Sequence, residues 1–229
     1  MGLNFHKKTS VPSKSIIFDL DGTLIDSQES ILGAIEYALD SLGIEAKIPV
    51  SRDLIGPPLI ETISKITGLS DQSKINELAK KFKEHYDEIG YKDAIVYPGM
   101  NELIKSLIES GYVLYVATNK RLKPTLKIIK YLSWGPFFNS VYSIDLNGDG
   151  AVFKNKAEMI HALLSEQSID ISSAVYVGDR IEDYEAATAN NIPCILVDWG
   201  YGENKSNVDK ILIRASCAVQ LQKILRGPL

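Results

Sequence analysis

Cysteine is scarce in this chain of 229 residues, where only two occur. Cys194 and Cys217 stand in apolar contexts with no CxxC spacing, which excludes a disulfide scaffold and leads us to expect a reduced, cytoplasmic protein. Long apolar runs are missing as well. No stretch approaches the roughly 18 residues of a membrane span, so no membrane partner is expected. A basic excess is also absent: 25 Lys and Arg face 29 Asp and Glu, for a net charge of −4. That balance provides no footprint for a nucleic acid polymer. The opening MGLNFHKKTSVPSKS is polar and carries no apolar signal core. It begins Met-Gly, but His6 stands where a myristoylation site requires Ser or Thr. We read residues 1–13 as a tail. With no internal repeat, low-complexity segment or heptad pattern, a monomer is the expected state and a dimer the alternative.

What is present is ordinary globular material, 45% hydrophobic and 24% charged. A chain of this length buries roughly 70–75% of its unfolded surface and needs no staples. Short continuous apolar runs read as strands buried on both faces. They fall at Lys14–Leu20, 112–119 (YVLYVATN), 174–179 (AVYVGD) and 193–199 (PCILVDW), with a weaker one at 140–145. Helical patterns lie between them, at about 99–110, 122–132, 156–167 and 181–190. A weak strand near Ile211–Ile213 and a helix from about Ala218 close the series. Alternation of this kind predicts an α/β fold, a Rossmann-like parallel sheet wrapped by helices on both faces. Residues 27–97 break the rhythm. They show helical patterns at 28–42 and 72–89, with IGPPL (55–59) as a turn between them and no convincing buried strand. We read 14–26 and 98–229 as one core and 27–97 as an all-helical insertion after the first strand.

Open parallel sheets bind ligands at the carboxyl ends of their strands. The first strand ends in Asp19-Leu20-Asp21-Gly22, the next in Thr118-Asn119-Lys120, and the 174–179 strand in Gly178-Asp179 with Asp183 following. Asp19 and Asp21, two apart in a strand, would share one face. Gly22 then permits a sharp bend. Four carboxylates on one rim repel one another unless a cation joins them, and oxygen ligands of this kind suit Mg²⁺. Each piece alone has a plainer reading. A lone DxD is weak, Asp179 could cap the helix at 181, and Thr118-Asn119 could be a turn. The ordered set at successive strand ends is far more specific.

FDLDGTLIDS, VATNK, a downstream lysine and YVGDRIED together resemble the four ordered motifs of the haloacid dehalogenase-like superfamily of phosphohydrolases. The resemblance runs from about Lys14 to the C-terminal helix. Within that superfamily the chain looks most like the phosphoglycolate phosphatase group, which includes 5′-nucleotidases. IGPPL and WGYG (199–202) are lesser marks of the same group. The resemblance implies a small helical cap at 27–97 and a small phosphorylated metabolite as substrate. It implies Asp19 as the nucleophile that forms an aspartyl-phosphate, and Asp21 as general acid and base. Mg²⁺ would be held by Asp19, the main-chain carbonyl of Asp21 and Asp179, with Asp183 ordering a metal-bound water. Thr118 and the Asn119 amide would hold phosphate oxygens, and a lysine would neutralise the transferring phosphoryl group.

Two lysines compete for that last role, Lys154 and Lys156. Relatives often carry Lys-Pro here, and neither lysine precedes a proline. Lys156 opens KAEMI, similar to the Lys-Ala-Asp-x-Ile form of the subgroup, and stands 23 residues before Asp179. Lys156 is therefore favoured, with Lys154 the alternative. The same stretch, IDLNGDGAVFKNK, imitates a calcium loop through Asp145, Asn147, Asp149 and Gly150. Counted from Asp145, however, its twelfth residue is Lys156, where an EF-hand requires a bidentate Glu. We read it as a polar loop with tight turns at its Asn-Gly and Asp-Gly pairs.

Other functions fare less well. Dehalogenases and phosphonatases lack the second aspartate of the first motif, which Asp21 supplies here. An idle binding protein would not need Asp19, Asp21, Lys156 and Asp179 together. A sugar-phosphate phosphomutase on the same core is the alternative. Arg52, Lys65, His85, Tyr86 and Lys92 are the insertion residues that could meet a substrate. Each reads first as a surface residue, and Arg52 has the strongest claim because it precedes the IGPPL turn. A carboxylate substrate would want a cation and a nucleotide an aromatic ring, and both are on offer. His6 and His161 read as tail and helix-surface residues, Cys194 as a buried strand thiol, and Trp134, Phe137 and Phe138 as packing.

Overall fold

The structure is a computed structural model that describes residues 14–145, 153–202 and 213–227. The chain opens with β1 (Ser15–Phe18) and β2 (Ile25–Asp26), followed by helices α1 (Gln28–Leu42), α2 (Leu59–Thr67) and α3 (Gln72–Glu88). Next come β3 (Ile95–Val96), α4 (Met100–Glu109), β4 (Val113–Thr118), α5 (Leu122–Tyr131) and β5 (Ser140–Ser143). The remainder is α6 (Lys156–Glu166), β6 (Ala174–Gly178), α7 (Ile181–Ala189), β7 (Cys194–Val197), β8 (Ile213–Ala215) and α8 (Ala218–Arg226). The tail 1–13 and the Asn147-Gly148 and Asp149-Gly150 turns lie outside the described residues.

Six strands form one sheet in the order β5-β4-β1-β6-β7-β8, and every pairing in it is parallel. The apolar runs are continuous because both faces are covered. Ile16 and Phe18 join Val116, Val177 and Ile195 beneath Leu103 and Leu107 of α4 and Leu221 of α8. Ile17 points the other way, into a cluster with Tyr115, Tyr176, Met159 and Leu163 of α6, and Ala187 of α7. Strand order reverses at β1, whose neighbours are β4 and β6. The carboxyl end of β1 is thus the crevice where such sheets receive ligands.

Helices α1, α2 and α3 bury a separate apolar cluster that includes Ile35, Leu39, Ile63, Ile66, Leu78 and Phe82. α2 is an addition to the two helical patterns read from sequence. Its run LIETISKIT is short and rich in β-branched residues, which lower helix propensity. The burial of Ile63 and Ile66 against α1 and α3 overrides that preference. β2 and β3 were also unforeseen. They pair antiparallel through Ile25↔Val96 and Asp26↔Ile95, too short a run for alternation to register. The last strand is described over Ile213–Ala215; it includes Ile213 of the expected strand, whose other two residues fall outside those described. The first strand ends at Phe18 and not at Leu20.

Trp134 packs as anticipated, 1% exposed, with Phe138 in edge contact and its indole N–H donating to Asn101 Oδ1 at 2.9 Å. Trp134→Ala is expected to lower unfolding free energy in urea by about 3–5 kcal/mol. Tyr131→Ala, removing a ring that is 54% exposed, should cost far less. Similar losses from the two would contradict the packing role.

Candidate active site

Three strand ends and two helix starts meet at the crevice. Asp19 follows β1, and its amide continues the sheet by donating to Val177 O at 2.9 Å. Asp179 follows β6, Asp183 sits in the first turn of α7, and Lys156 is the first residue of α6. Each is less than a tenth exposed. Ligand oxygens of Asp19, Asp179 and Asp183 lie within 4.8 Å of one another. The Lys156 ammonium lies 2.5 Å from Asp183 Oδ1 and 3.2 Å from Asp19 Oδ1. Lys154 does not reach this group; its amide donates to Glu158 Oε2 at 2.7 Å.

Backbone geometry fixes the carboxylates. Asp183 Oδ2 accepts from the amides of Asp179 and Arg180, both at 3.0 Å. The helix is therefore capped by Asp183 reaching back, not by Asp179. That leaves Asp179 free to accept from the Tyr201 amide at 2.6 Å through Oδ2. Gly22, at φ +83°, and Gly200 press so closely on Asp179 that a Cβ on either would overlap its side chain.

The charges do not balance. Three buried carboxylates surround one buried ammonium, a formal −2 in a space sealed from water. Asp179 Oδ1 is buried with no hydrogen-bond partner, and Asp19 Oδ1, also buried, is faced by the Lys156 ammonium alone at 3.2 Å. Burial pushes the Asp19 carboxyl up to about 6; Lys156 opposes this, and Asp183 and Asp21 add to it. Burial pushes Asp179 up to about 7, with Asp183 and Asp19 adding to the rise. An orphaned Asp179 Oδ1, carboxylate oxygens gathered within 4.8 Å and a deficit of two positive charges fit a divalent cation of the Mg²⁺ kind.

Asp21 stands apart from this trio. The expectation that it shares a strand face with Asp19 fails, because β1 has already ended. The chain instead wraps around the Leu20 carbonyl, which accepts from the amides of Thr23, Leu24 and Ile25. The turn delivers the Asp21 carboxylate to Lys120, whose ammonium is 3.0 Å from both oxygens. Sequence reasoning gave Lys120 no role. The clue available was charge: four carboxylates on one rim need more than one lysine. Burial alone would lower the Lys120 pKa, but Asp21 outweighs it and raises the value above its ordinary one. Beside it Thr118 is buried, its Oγ1 accepting from the Lys120 amide at 3.2 Å, while Asn119 is exposed.

The α1–α3 unit touches the crevice at several points. Tyr86 of α3, expected at the surface, is 2% exposed, and Lys120 lies 4.5 Å from its ring centroid. The Tyr86 hydroxyl accepts from Ser30 Oγ of α1 at 3.1 Å. The Arg52 guanidinium donates to Gly200 O and lies 5.3 Å from the Tyr201 ring centroid. The Tyr201 hydroxyl in turn donates to Asp26 Oδ1 at 2.8 Å and accepts from the Ser27 amide at 2.6 Å. Two further arginines bridge the layers, each directly after a residue of the crevice. Arg180 donates to Ile55 O at 2.6 Å, and Arg121 forks onto the Asp87 carboxylate at 2.5 and 3.1 Å. Lys65 and Lys92 are exposed, and His85 stacks on Tyr37. Asp145, first residue of the calcium-like loop, accepts from the Leu122 amide at 2.7 Å through Oδ1, and residues 146–152 of that loop lie outside those described. Among the described residues no helix is long and apolar enough to cross a membrane.

The family described as haloacid dehalogenase-like hydrolase matches residues 16–197. A 5′-nucleotidase of Pseudomonas aeruginosa is 32% identical over 189 residues, which are 82% of this chain and 84% of that protein. A phosphoglycolate phosphatase of Aquifex aeolicus is 30% identical over 208 residues, 90% of this chain and 95% of its own length. The solved structure of a haloacid dehalogenase-like family hydrolase from Streptococcus pneumoniae superposes with a TM-score of 0.80. It is 26% identical, and the match covers 93% of this chain and 99% of that one.

The charge deficit predicts a pH dependence. A carboxyl with a raised pKa binds its proton more tightly in the folded than in the unfolded protein. Its stabilisation is complete below the unfolded carboxylate pKa and is lost as pH rises through the folded values, about 6 for Asp19 and about 7 for Asp179. Metal-free protein should therefore melt at lower temperature near pH 8 than near pH 5. Mg²⁺ should raise the melting temperature far more at the higher pH, and Asp179→Asn should flatten the dependence. A thermal melt series with equal Mg²⁺ shifts at both pH values would speak against the site.

Proposed function

Because this chain is a member of the haloacid dehalogenase-like hydrolase family, we propose that it is a Mg²⁺-dependent phosphatase acting on a small phosphomonoester through an aspartyl-phosphate at Asp19. The observation that carries this reading is the buried −2 imbalance, with Asp179 Oδ1 unpartnered and Asp19 Oδ1 faced only by the Lys156 ammonium. Those two oxygens would hold the ion, together with the main-chain carbonyl of Asp21. When bound, Mg²⁺ offsets negative charge so that a carboxylate nucleophile and a phosphoryl anion can approach. Asp183 keeps Asp179 and Lys156 in place through its amide and ion-pair contacts.

The protein's own groups account for the chemistry. Asp19 attacks phosphorus in line as the bond to the leaving oxygen breaks, and protonated Asp21 gives that oxygen its proton. The resulting Asp21 carboxylate then takes a proton from water as the water oxygen bonds to phosphorus. The Asp19–phosphorus bond breaks, which restores Asp19 and releases phosphate. Lys156 faces the nucleophile and counters charge on the transferring group, while Thr118 Oγ1 and the Asn119 amide hold its oxygens. Residues 27–97 act as a cap over this crevice and 14–26 with 98–229 as the core. The cap supplies Arg52 to the space where the rest of the substrate would lie.

The deciding assay is phosphate release from 2-phosphoglycolate, nucleoside 5′-monophosphates, sugar phosphates and p-nitrophenyl phosphate. Turnover should require Mg²⁺ and fall on the order of 10⁴-fold in Asp19→Asn. The rank order names the substrate. Folded, Mg²⁺-binding protein that releases no phosphate, but interconverts two phosphates of one sugar, would identify a phosphomutase instead.

A further inference from the structure

The crevice contains a second buried cation whose task the hydrolytic scheme above leaves open. Lys120 has a side chain 7% exposed and meets both oxygens of Asp21 at 3.0 Å. It does not neutralise the Asp19, Asp179 and Asp183 trio, which has Lys156. The two ion pairs are thus separate: one lysine faces the nucleophile, the other faces the proton carrier. Equal contact with both carboxylate oxygens restrains rotation of the Asp21 side chain about its last bond, where a single contact would leave it free.

Lys120 is itself held from the helical layer. Its ammonium lies 4.5 Å from the Tyr86 ring centroid, within cation–π range, and the Tyr86 hydroxyl is tied to Ser30. Tyr86 comes from α3 and Ser30 from α1, and both are 2% exposed. A contact chain therefore runs from α1 through α3 to Lys120 and on to Asp21. Its first two members belong to the cap and its last two to the core.

On the phosphatase reading above, on which this rests, we propose that Lys120 is a positioning residue for Asp21. It aims the carboxyl group at the leaving oxygen and then at the attacking water, and Tyr86 holds it in that pose when the cap is seated. Lys120 touches Asp21 and Tyr86, and its effect on the reaction runs through Asp21. The covalent steps and their proton balance are those given for Asp21.

The test separates steps that need the proton carrier from steps that do not. p-Nitrophenolate leaves without a proton, whereas an alkoxide needs one. In Lys120→Met, kcat on an alkyl phosphate should fall by about 10- to 100-fold with KM changed less than about threefold. On p-nitrophenyl phosphate the first step should be spared and hydrolysis of the intermediate slowed, so that acid-quenched enzyme carries more aspartyl-phosphate than wild type. Lys120→Arg, which keeps a forked cation, should recover part of the loss. Tyr86→Leu should move the alkyl-to-nitrophenyl rate ratio in the same direction. Adding Lys120→Met to Asp21→Asn should change kcat by less than about twofold, because the two residues act as one unit. Losses that add in the double variant, that are equal for both leaving groups, or that appear as weaker inhibition by inorganic phosphate would overturn the role and place Lys120 on the substrate. Should Lys120→Met fail to fold, Lys120→Gln and Tyr86→Leu carry the same comparison. Wild-type protein inactive on every ester is a different outcome: it overturns the hydrolase reading itself, and this role with it.

Discussion

Burying Asp19, Asp179 and Asp183 against the single ammonium of Lys156 is the constraint around which the rest of the molecule is arranged. Removing charge from water is expensive, and an uncompensated carboxylate would normally shed its charge by keeping its proton. The protein tolerates the arrangement because main-chain amides at fixed positions share the load. The amides of Asp179, Arg180 and Tyr201 all point at carboxylate oxygens. The first two sit where they do because β6 ends at Gly178 and α7 begins at Ile181, and the third lies just past the end of β7 at Val197, so sheet and helix set the electrostatics. What the amides and Lys156 leave over is a formal charge of −2, a deficit of the size a divalent cation would offset.

The two lysines divide the crevice into compartments. One compartment holds three carboxylates against the Lys156 ammonium, a formal −2 that a divalent cation would offset; in the other, Asp21 and Lys120 cancel each other's charge. The wrap of the chain around the Leu20 carbonyl produces this separation, by turning Asp21 away from the trio within two residues of Asp19.

Much of this was legible in the sequence, and the exceptions have physical causes. The sheet could be read because Ile16, Ile17 and Phe18, and their counterparts in β4, β6 and β7, form unbroken apolar runs, a signature of strands covered on both faces. The residues of the crevice could be located because strand ends are where open sheets carry ligands. α2 was hidden by its own β-branched residues, and β2 and β3 by their two-residue length. The pairing of particular lysines with particular carboxylates was not readable. Lys120 and Lys156 are both simply cations near acidic motifs, and only the turn after β1 and the start of α6 decide which meets which. Tyr86 was taken for a surface residue because its helix is strongly charged. Lys120 and Ser30, which cover it, come from distant parts of the chain.

The β2–β3 pair has a consequence for how such a molecule can change over time. Through it the chain leaves the sheet layer and returns to it on adjacent strands, about 5 Å apart. Everything between is a closed loop as far as the sheet is concerned. Any segment whose ends lie one strand spacing apart satisfies the same junction, whatever its size or fold. The helical layer and the six-stranded sheet are therefore separable lengths of one polypeptide, joined by a seam only two residues wide on each side.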